Sequence, residues 1–406
     1  MAQRPQPPPG QVGREPLLTK NFVLACLITL ASFSSFYFLL ATLPVYVVRE
    51  VGGSEAQVGL IIGVFSGATV LLRPLIGWAA DDWGRRAFIV AGNAVMALSG
   101  GLYSLTRTVP LLLGLRVFHG VGWAAFGTAT NALVADVVPR GRRGEAMGYY
   151  GMFSNLAMAV GPALGIALMT SFSFNVLFAA SASLGLVALS LSLFVSDPVR
   201  PARPEGPGAA AAQRSGEGVI ERSALFPGLV LALTAVTYGS IVSFLPLYAF
   251  SMKITDNPGV FFTVYAVVLI VARGFTGQAA DRYGRGAVIA PGLLLVAVAL
   301  WVLAVADSLA LLLLVAVLYG LAFAAVQPAI MAMVVDRAAP HRRGAAMGTF
   351  SAAMDLGIGG GSIMWGVVAQ TAGYHAMYVA SGSVALLALA VFLVGMRGRL
   401  TVPANR

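Results

Sequence analysis

The chain has 406 residues, 58% of them hydrophobic and only 10% charged, with a mean hydropathy of +0.84. Charged residues make up about a quarter of an ordinary soluble domain, so this composition excludes one and points to a polytopic membrane protein. A net charge of +10 would suggest a nucleic-acid partner in a soluble domain; here that depends on where the basic residues lie. One cysteine, Cys26, excludes an internal disulfide framework and a thiolate metal cluster. His119, His341 and His375 stand too far apart to suggest zinc or haem, so no metal and no cofactor are expected.

Taken in chain order, apolar stretches able to cross a bilayer, about 20 residues each, lie at 21–48, 55–80, 87–106, 110–137, 146–170, 174–196, 224–252, 259–280, 287–306, 309–335, 345–370 and 374–396. The runs are continuous where a barrel strand would alternate, so an all-α membrane protein with twelve spanning helices is expected. The first stretch is too long for a signal-peptide core and lacks a small-residue cleavage site, so it is expected to remain in the chain.

Basic residues then sort by side. Twenty of the 26 fall on one side: Arg4, Arg14, Lys20, Arg85, Arg86, Arg140, Arg142, Arg143, Arg200, Arg203, Arg214, Arg222, Arg282, Arg285, Arg337, Arg342, Arg343, Arg397, Arg399 and Arg406. Arg49, Arg107 and Lys253 fall on the other, and Arg73, Arg116 and Arg273 lie within spans. The excess of positive charge on one side predicts that both termini and the middle loop are cytoplasmic, in the plasma (inner) membrane. The basic balance is thus topology, and no nucleic-acid partner is expected.

Residues 197–222 hold four prolines and no hydrophobic period, and read as a cytoplasmic linker. It divides a tail (1–20) and six spans (21–196) from six more (223–396) and a second tail (397–406). The halves repeat at an offset of 200 residues: RPLIGWAADDWGRR at 73–86 returns as RGFTGQAADRYGRG at 273–286, and RRGEAMG at 142–148 as RRGAAMG at 342–348. Asp136 maps onto Asp336 and Gly161 onto Gly361, while LPVY at 43–46 returns as LPLY at 245–248 with a slip of two. Two pseudo-symmetric six-helix bundles with a site between them are expected.

The cytoplasmic turn between spans 2 and 3 reads GWAADDWGRR, with Gly77, Asp81, Gly84 and Arg85. Gly84 permits the reversal, Asp81 can meet a helix N-terminus and the arginines suit the headgroup region. Gly277, Asp281, Gly284 and Arg285 repeat it. Here the sequence resembles the major facilitator superfamily, whose signature loop is G-x-x-x-D-(R/K)-x-G-(R/K)-(R/K); Asp82 and Gly286 depart from it. The resemblance covers about 21–396 and implies the fold of that family and a gating role for Asp81 and Asp281. Anchoring and turn formation are the plainer alternative.

In span 4, Arg116 and His119 share a helix face and resemble the family's R-x-x-Q-G motif with histidine at the glutamine position. Arg116 is expected to tune a proton-carrying group; the plainer reading of His119 is a neutral, hydrogen-bonded packing residue. In span 5, Gly161, Pro162 and Gly165 resemble the motif of the family's drug:proton antiporter branch, with Ile166 where a second glycine is common. The plainer reading is a small-residue helix interface.

Arg73 and Arg273 correspond in the repeat, as do Asn155 and Asp355. Arg73 is eight residues from Asp81, about 12 Å deep, and Asp355 ten residues into span 11, about 15 Å deep. In the family's fold, spans 2 and 11 face each other, as do 5 and 8. A latch is therefore expected in which Arg73 pairs with Asp355 and Arg273 meets Asn155, with Asp355 as first candidate for the proton carrier. Snorkelling of Arg73 is the alternative.

Phe36, Tyr37, Trp123, Phe126, Asn131, Tyr238 and Gln327 are expected to line a mostly apolar cavity, which suits a lipophilic or amphipathic small molecule. The resemblance implies a monomeric secondary transporter, exporting such a molecule against protons. Proton-coupled uptake of a sugar or small organic acid, and a non-transporting membrane receptor, are the alternatives. No nucleotide-binding G-x-x-x-x-G-K-(S/T) motif occurs and no span concentrates catalytic groups, so an enzyme is not expected.

Overall fold

Apolar chain in a bilayer must satisfy its backbone N–H and C=O groups internally, and helices do so here. The computed structural model describes residues 18–138, 142–197, 221–339 and 342–400. The expected linker and both tails fall largely outside them. Among the described residues, 11 helices are long and apolar enough to cross a membrane. They are α1 (Lys20–Arg49), α2 (Glu55–Trp83), α3 (Arg85–Leu102), α4 (Val109–Val137), α5 (Arg143–Ser171), α6 (Phe174–Ser192), α7 (Leu225–Ser251), α8 (Gly259–Tyr283), α9 (Arg285–Ala304), α10 (Leu309–Arg337) and α11 (Arg343–Leu400).

The expectation of twelve separate helices meets a difference at α11. This helix has 58 residues, and a straight one of that length would measure about 87 Å against a hydrocarbon core of about 30 Å. Gly373 interrupts it with φ 81° and ψ 170°, a left-handed conformation that glycine adopts without a Cβ clash. The chain thus continues from one arm, 343–372, directly into another, 374–400.

Local signals account for the other ends. Thr19, Ser54, Ser173 and Ser308 cap α1, α2, α6 and α10, each side-chain oxygen accepting a backbone N–H of the first turn. Ser54 and Gln57 complete a reciprocal capping box. Gly84, at φ 105°, is the whole connection between α2 and α3, so both helices run closer to the turn than the apolar stretches indicated. Gly284, at φ 88°, does the same between α8 and α9.

Helices α1 and α7 are the most buried, each packed against helices of its own half and touching the other. Between halves, α2 lies along the 343–372 arm, and α5 along α8. We call the face where α2 ends the linker face. Near the opposite face the halves are closely fitted. The Ala56 N–H donates to Gln370 Oε1 (3.2 Å), the Tyr374 hydroxyl to Glu55 Oε1 (3.3 Å), and the Arg49 guanidinium sits 3.8 Å above the Phe250 ring. A Cβ on Gly59 would collide with the Ser362 carbonyl, and one on Gly366 with the Glu55 carbonyl, so helix backbones approach directly there.

Candidate functional site

Deeper along the same contact, Arg73 Nη2 donates to Asp355 Oδ2 at 2.6 Å. The side chains are 18% and 20% exposed, so the pair is largely withdrawn from water without being sealed. It joins α2 of the first half to the 343–372 arm of the second. Arg73 Nε is buried without a hydrogen-bond partner.

The quasi-equivalent contact is different. Arg273 Nη2 donates to Gln327 Oε1 at 3.3 Å, on α10 of its own half, and not to Asn155 as the repeat suggested. An amide on the adjoining helix is in reach without crossing between halves. Asn155 has no charge to draw the guanidinium to itself. Gln327 also approaches Met354 Sδ through Nε2, at 4.0 Å.

Arg116 is fully buried in the first half. Its Nε donates to the Ile61 carbonyl (3.2 Å), its Nη1 to the Tyr103 hydroxyl (3.4 Å), and its Cζ lies 4.4 Å from the Phe65 ring centroid. The same hydroxyl is 3.0 Å from His119 Nδ1. A phenol oxygen that accepts from a guanidinium keeps its proton for the imidazole nitrogen, which makes Tyr103 the bridge. The sequence reading missed Tyr103: it lies 13 residues before Arg116, on a short turn after α3, and carries no charge to single it out.

The expected cavity residues do not form one wall. Phe36, Tyr37, Trp123 and Phe126 interlock with Phe33 and Phe65 at ring separations between 4.3 and 6.2 Å, a packed cluster. Their burial follows from side chains meeting across α1, α2 and α4, which span assignment does not reveal. Tyr238 stacks on Phe323 at 5.2 Å in the second half, and Gln327 holds Arg273. Asn131 is half-buried near the linker-face end of α4.

At the linker face the turn residues find partners within their own halves. Arg85 Nε is 3.2 Å from Asp136 Oδ2, and Arg285 is 3.4 Å from both Asp281 and Asp336. The Asp197 carboxylate sits over Gly84 and accepts the Arg86 N–H at 2.9 Å. The Asp81 side chain lies outside what is described; Gly77 faces Thr128, and Gly277 has open space around it. In α5, a Cβ on Gly161 would collide with Tyr37 and one on Gly165 with the Phe38 backbone, so this segment, with Pro162 inside the helix, seats α5 against α1. Among the described residues, no three His, Cys, Asp or Glu side chains gather as metal ligands.

Two repeated halves of long apolar helices, meeting over a half-buried ion pair, define a multi-pass membrane protein of the secondary-transporter type. The chain belongs to the Major Facilitator Superfamily, whose family model matches residues 25–261 and again 256–405. An MFS-type transporter of Salmonella typhimurium is 27% identical over 360 residues, covering 87% of this chain and 90% of the relative. The MFS-type transporter YhhS of Escherichia coli is 29% identical over 390 residues, covering 92% and 91%. Among solved structures, the nucleoside transporter NupG superposes with a TM-score of 0.70 at 13% identity, covering 93% of this chain and 99% of that one. The human organic anion transporter MFSD10 gives 0.68 at 20% identity, covering 93% and 100%. At these identities the superpositions speak for the fold. The protein is a transporter of this family and not an enzyme.

Proposed function

We propose that the chain is a proton-coupled exporter of a small amphipathic molecule, working by alternating access in the plasma membrane. In this reading the arms of α11 count as two spans, giving twelve in two six-helix bundles, 21–196 and 223–396, with both termini cytoplasmic. The observation that carries it is the Arg73–Asp355 bridge between the halves. With Asp355 ionised, the two charges hold α2 against the 343–372 arm; a proton on Asp355 removes one charge and most of the attraction. The halves then part at the linker face, where the substrate enters. Proton uptake is coupled to the change of access because both act through one carboxylate. The direction rests on the resemblance of the Gly161, Pro162 and Gly165 segment to the motif of the family's drug:proton antiporter branch.

A substrate-independent test uses spin labels at Trp83→Cys and Tyr283→Cys, on the exposed ends of α2 and α8, with buried Cys26 replaced by alanine. Acidification should widen their separation, and Asp355→Asn should hold the wide state at neutral pH. A distance distribution indifferent to both would sink the coupling.

A further inference from the structure

The repeat places two aromatic clusters in equivalent positions, but with different chemistry. In the first half Phe36, Phe65, His119 and Trp123 meet; in the second, Tyr238, Tyr265, Tyr319 and Phe323 stand at the corresponding places, Tyr238 with the same slip of two as LPVY and LPLY. The contacts repeat as well. Phe36 lies 4.3 Å from Trp123, as Tyr238 lies 5.2 Å from Phe323, and Phe65 lies 5.4 Å from His119, as Tyr265 lies 6.1 Å from Tyr319. Three phenol hydroxyls thus enter the second half where the first has two phenylalanines and a histidine.

Only one of the three is served. Tyr319 Oη is 3.3 Å from Thr237 Oγ1, while Tyr238 and Tyr265, each 1% exposed, have buried hydroxyls with no hydrogen-bond partner. A buried hydroxyl left unbonded has given up its water without a replacement and is destabilising. Arg273 lies eight residues beyond Tyr265 on α8, on the same broad face and about 12 Å along the axis, and as helical side chains lean toward the N-terminus its long side chain leans back toward the tyrosine. Its one partner is the neutral Gln327 amide, its Nε is buried and unbonded, and no carboxylate among the described residues lies within 4.0 Å. The quasi-equivalent Arg73 has Asp355. Deep within the spans, away from their ends, three arginines face one aspartate, and that aspartate is taken.

Donors without an acceptor, beside a cation without an anion, make an incomplete site. We infer that the substrate completes it: an amphipathic organic anion whose carboxylate is received by Arg273 with Tyr265 and Tyr238 donating. One charge is accommodated and several are not, because Arg273 is the single unmatched cation at this place. Selectivity against neutral and cationic analogues follows, since neither gives the guanidinium a counter-charge. The inference rests on the transporter reading but not on its proton coupling or its direction.

The test measures thermal shifts of the purified full chain with naphthoate, benzoate and salicylate, against naphthamide, naphthylmethylamine and acetate. Naphthoate should stabilise the protein, with the amide and amine at least about tenfold weaker, as expected for loss of a charge-assisted hydrogen bond. Acetate should also be weaker, since it lacks the ring. Arg273→Gln should lose the naphthoate response and Arg273→Lys keep part of it. Tyr265→Phe, which removes one oxygen and leaves the ring packing, should weaken naphthoate about threefold to tenfold. Three silent carboxylates, an equal response to naphthamide or acetate, or an unchanged response in a folded Arg273→Gln or Tyr265→Phe protein would overturn the site. Failure of the spin-label experiment alongside Arg273-dependent naphthoate binding would instead remove the proton coupling and leave the anion site standing.

Discussion

Arg73 and Asp355 are 282 residues apart in the chain and 2.6 Å apart in space, and they belong to opposite halves of the repeat. Among the described residues, no neighbouring charge within either half substitutes for the partner, so the two depend on each other. Removing one leaves the other as an uncompensated charge within a span, at a cost of about 3 kcal/mol on the insertion scale. Arg73→Asp and Asp355→Arg should each lower transport more than about tenfold. The double exchange should recover a large share, in proteoliposomes with the best probe anion. A folded double variant as inactive as either single one would count heavily against a latch.

The direct backbone contact between α2 and the 343–372 arm predicts a gate near the opposite face. Gly366→Val places carbon where the Glu55 carbonyl stands. Overpacking of this kind costs about 1–3 kcal/mol, and it acts on the closed arrangement alone. A cysteine at Ala56 should then be labelled faster by a membrane-impermeant maleimide than in the parent protein. Unchanged labelling would show that the contact is not what closes this face.

At the linker face, the turn glycine should matter more than the ion pairs around it. Asp136→Asn breaks an exposed pair and should cost less than about 1 kcal/mol, seen as a small, salt-dependent change in thermal stability. Gly84→Ala forces a Cβ onto φ 105° and toward the Asp197 carboxylate, and should cost about 1–2 kcal/mol or more. The reverse ranking would mean that the turn relaxes.

Glu221, just before α7, gives a pH signature. Hydrogen bonds from Arg342 Nε (2.6 Å) and from Ser223 hold its carboxyl down to about 2, below the ordinary 4.5. A folded-state value below the unfolded one means that the stabilisation is complete above 4.5 and fades as pH falls toward about 2. The thermal stability gap between the parent protein and Glu221→Gln should therefore be flat from about pH 6 to about pH 8 and narrow below about pH 4. A gap that changes around neutrality would assign the effect to another group.

Much of the architecture was legible because the bilayer imposes it. Apolar runs had to become helices, and the turn glycines had to reverse the chain. The Arg73–Asp355 contact could be posed from sequence because residue count converts to depth along a helix and the family resemblance sets span 2 against span 11. The counterpart at Arg273 could not, since whether a long side chain crosses between halves or turns back to Gln327 depends on lateral distances that residue counting does not give. The same limit applies to Phe36, Trp123 and Phe126: their positions on α1 and α4 were readable, but their mutual packing was not. Tyr103 went unnoticed because its importance comes from two residues on another helix. The tyrosine set of the second half was present in the repeat all along; it became visible once Tyr238, Tyr265 and Tyr319 were seen to share one place.

The single-glycine connection at Gly373 constrains how the second half can move. With no intervening loop, the 343–372 and 374–400 arms are joined like the limbs of a bracket, and a tilt of the first must either carry the second along or be absorbed by rotation about two backbone bonds. A force on the 374–400 arm, which carries exposed apolar side chains such as Leu387 and Val394, therefore loads the 343–372 arm. Bilayer thickness and lateral pressure gain a mechanical route to the helix that carries Asp355.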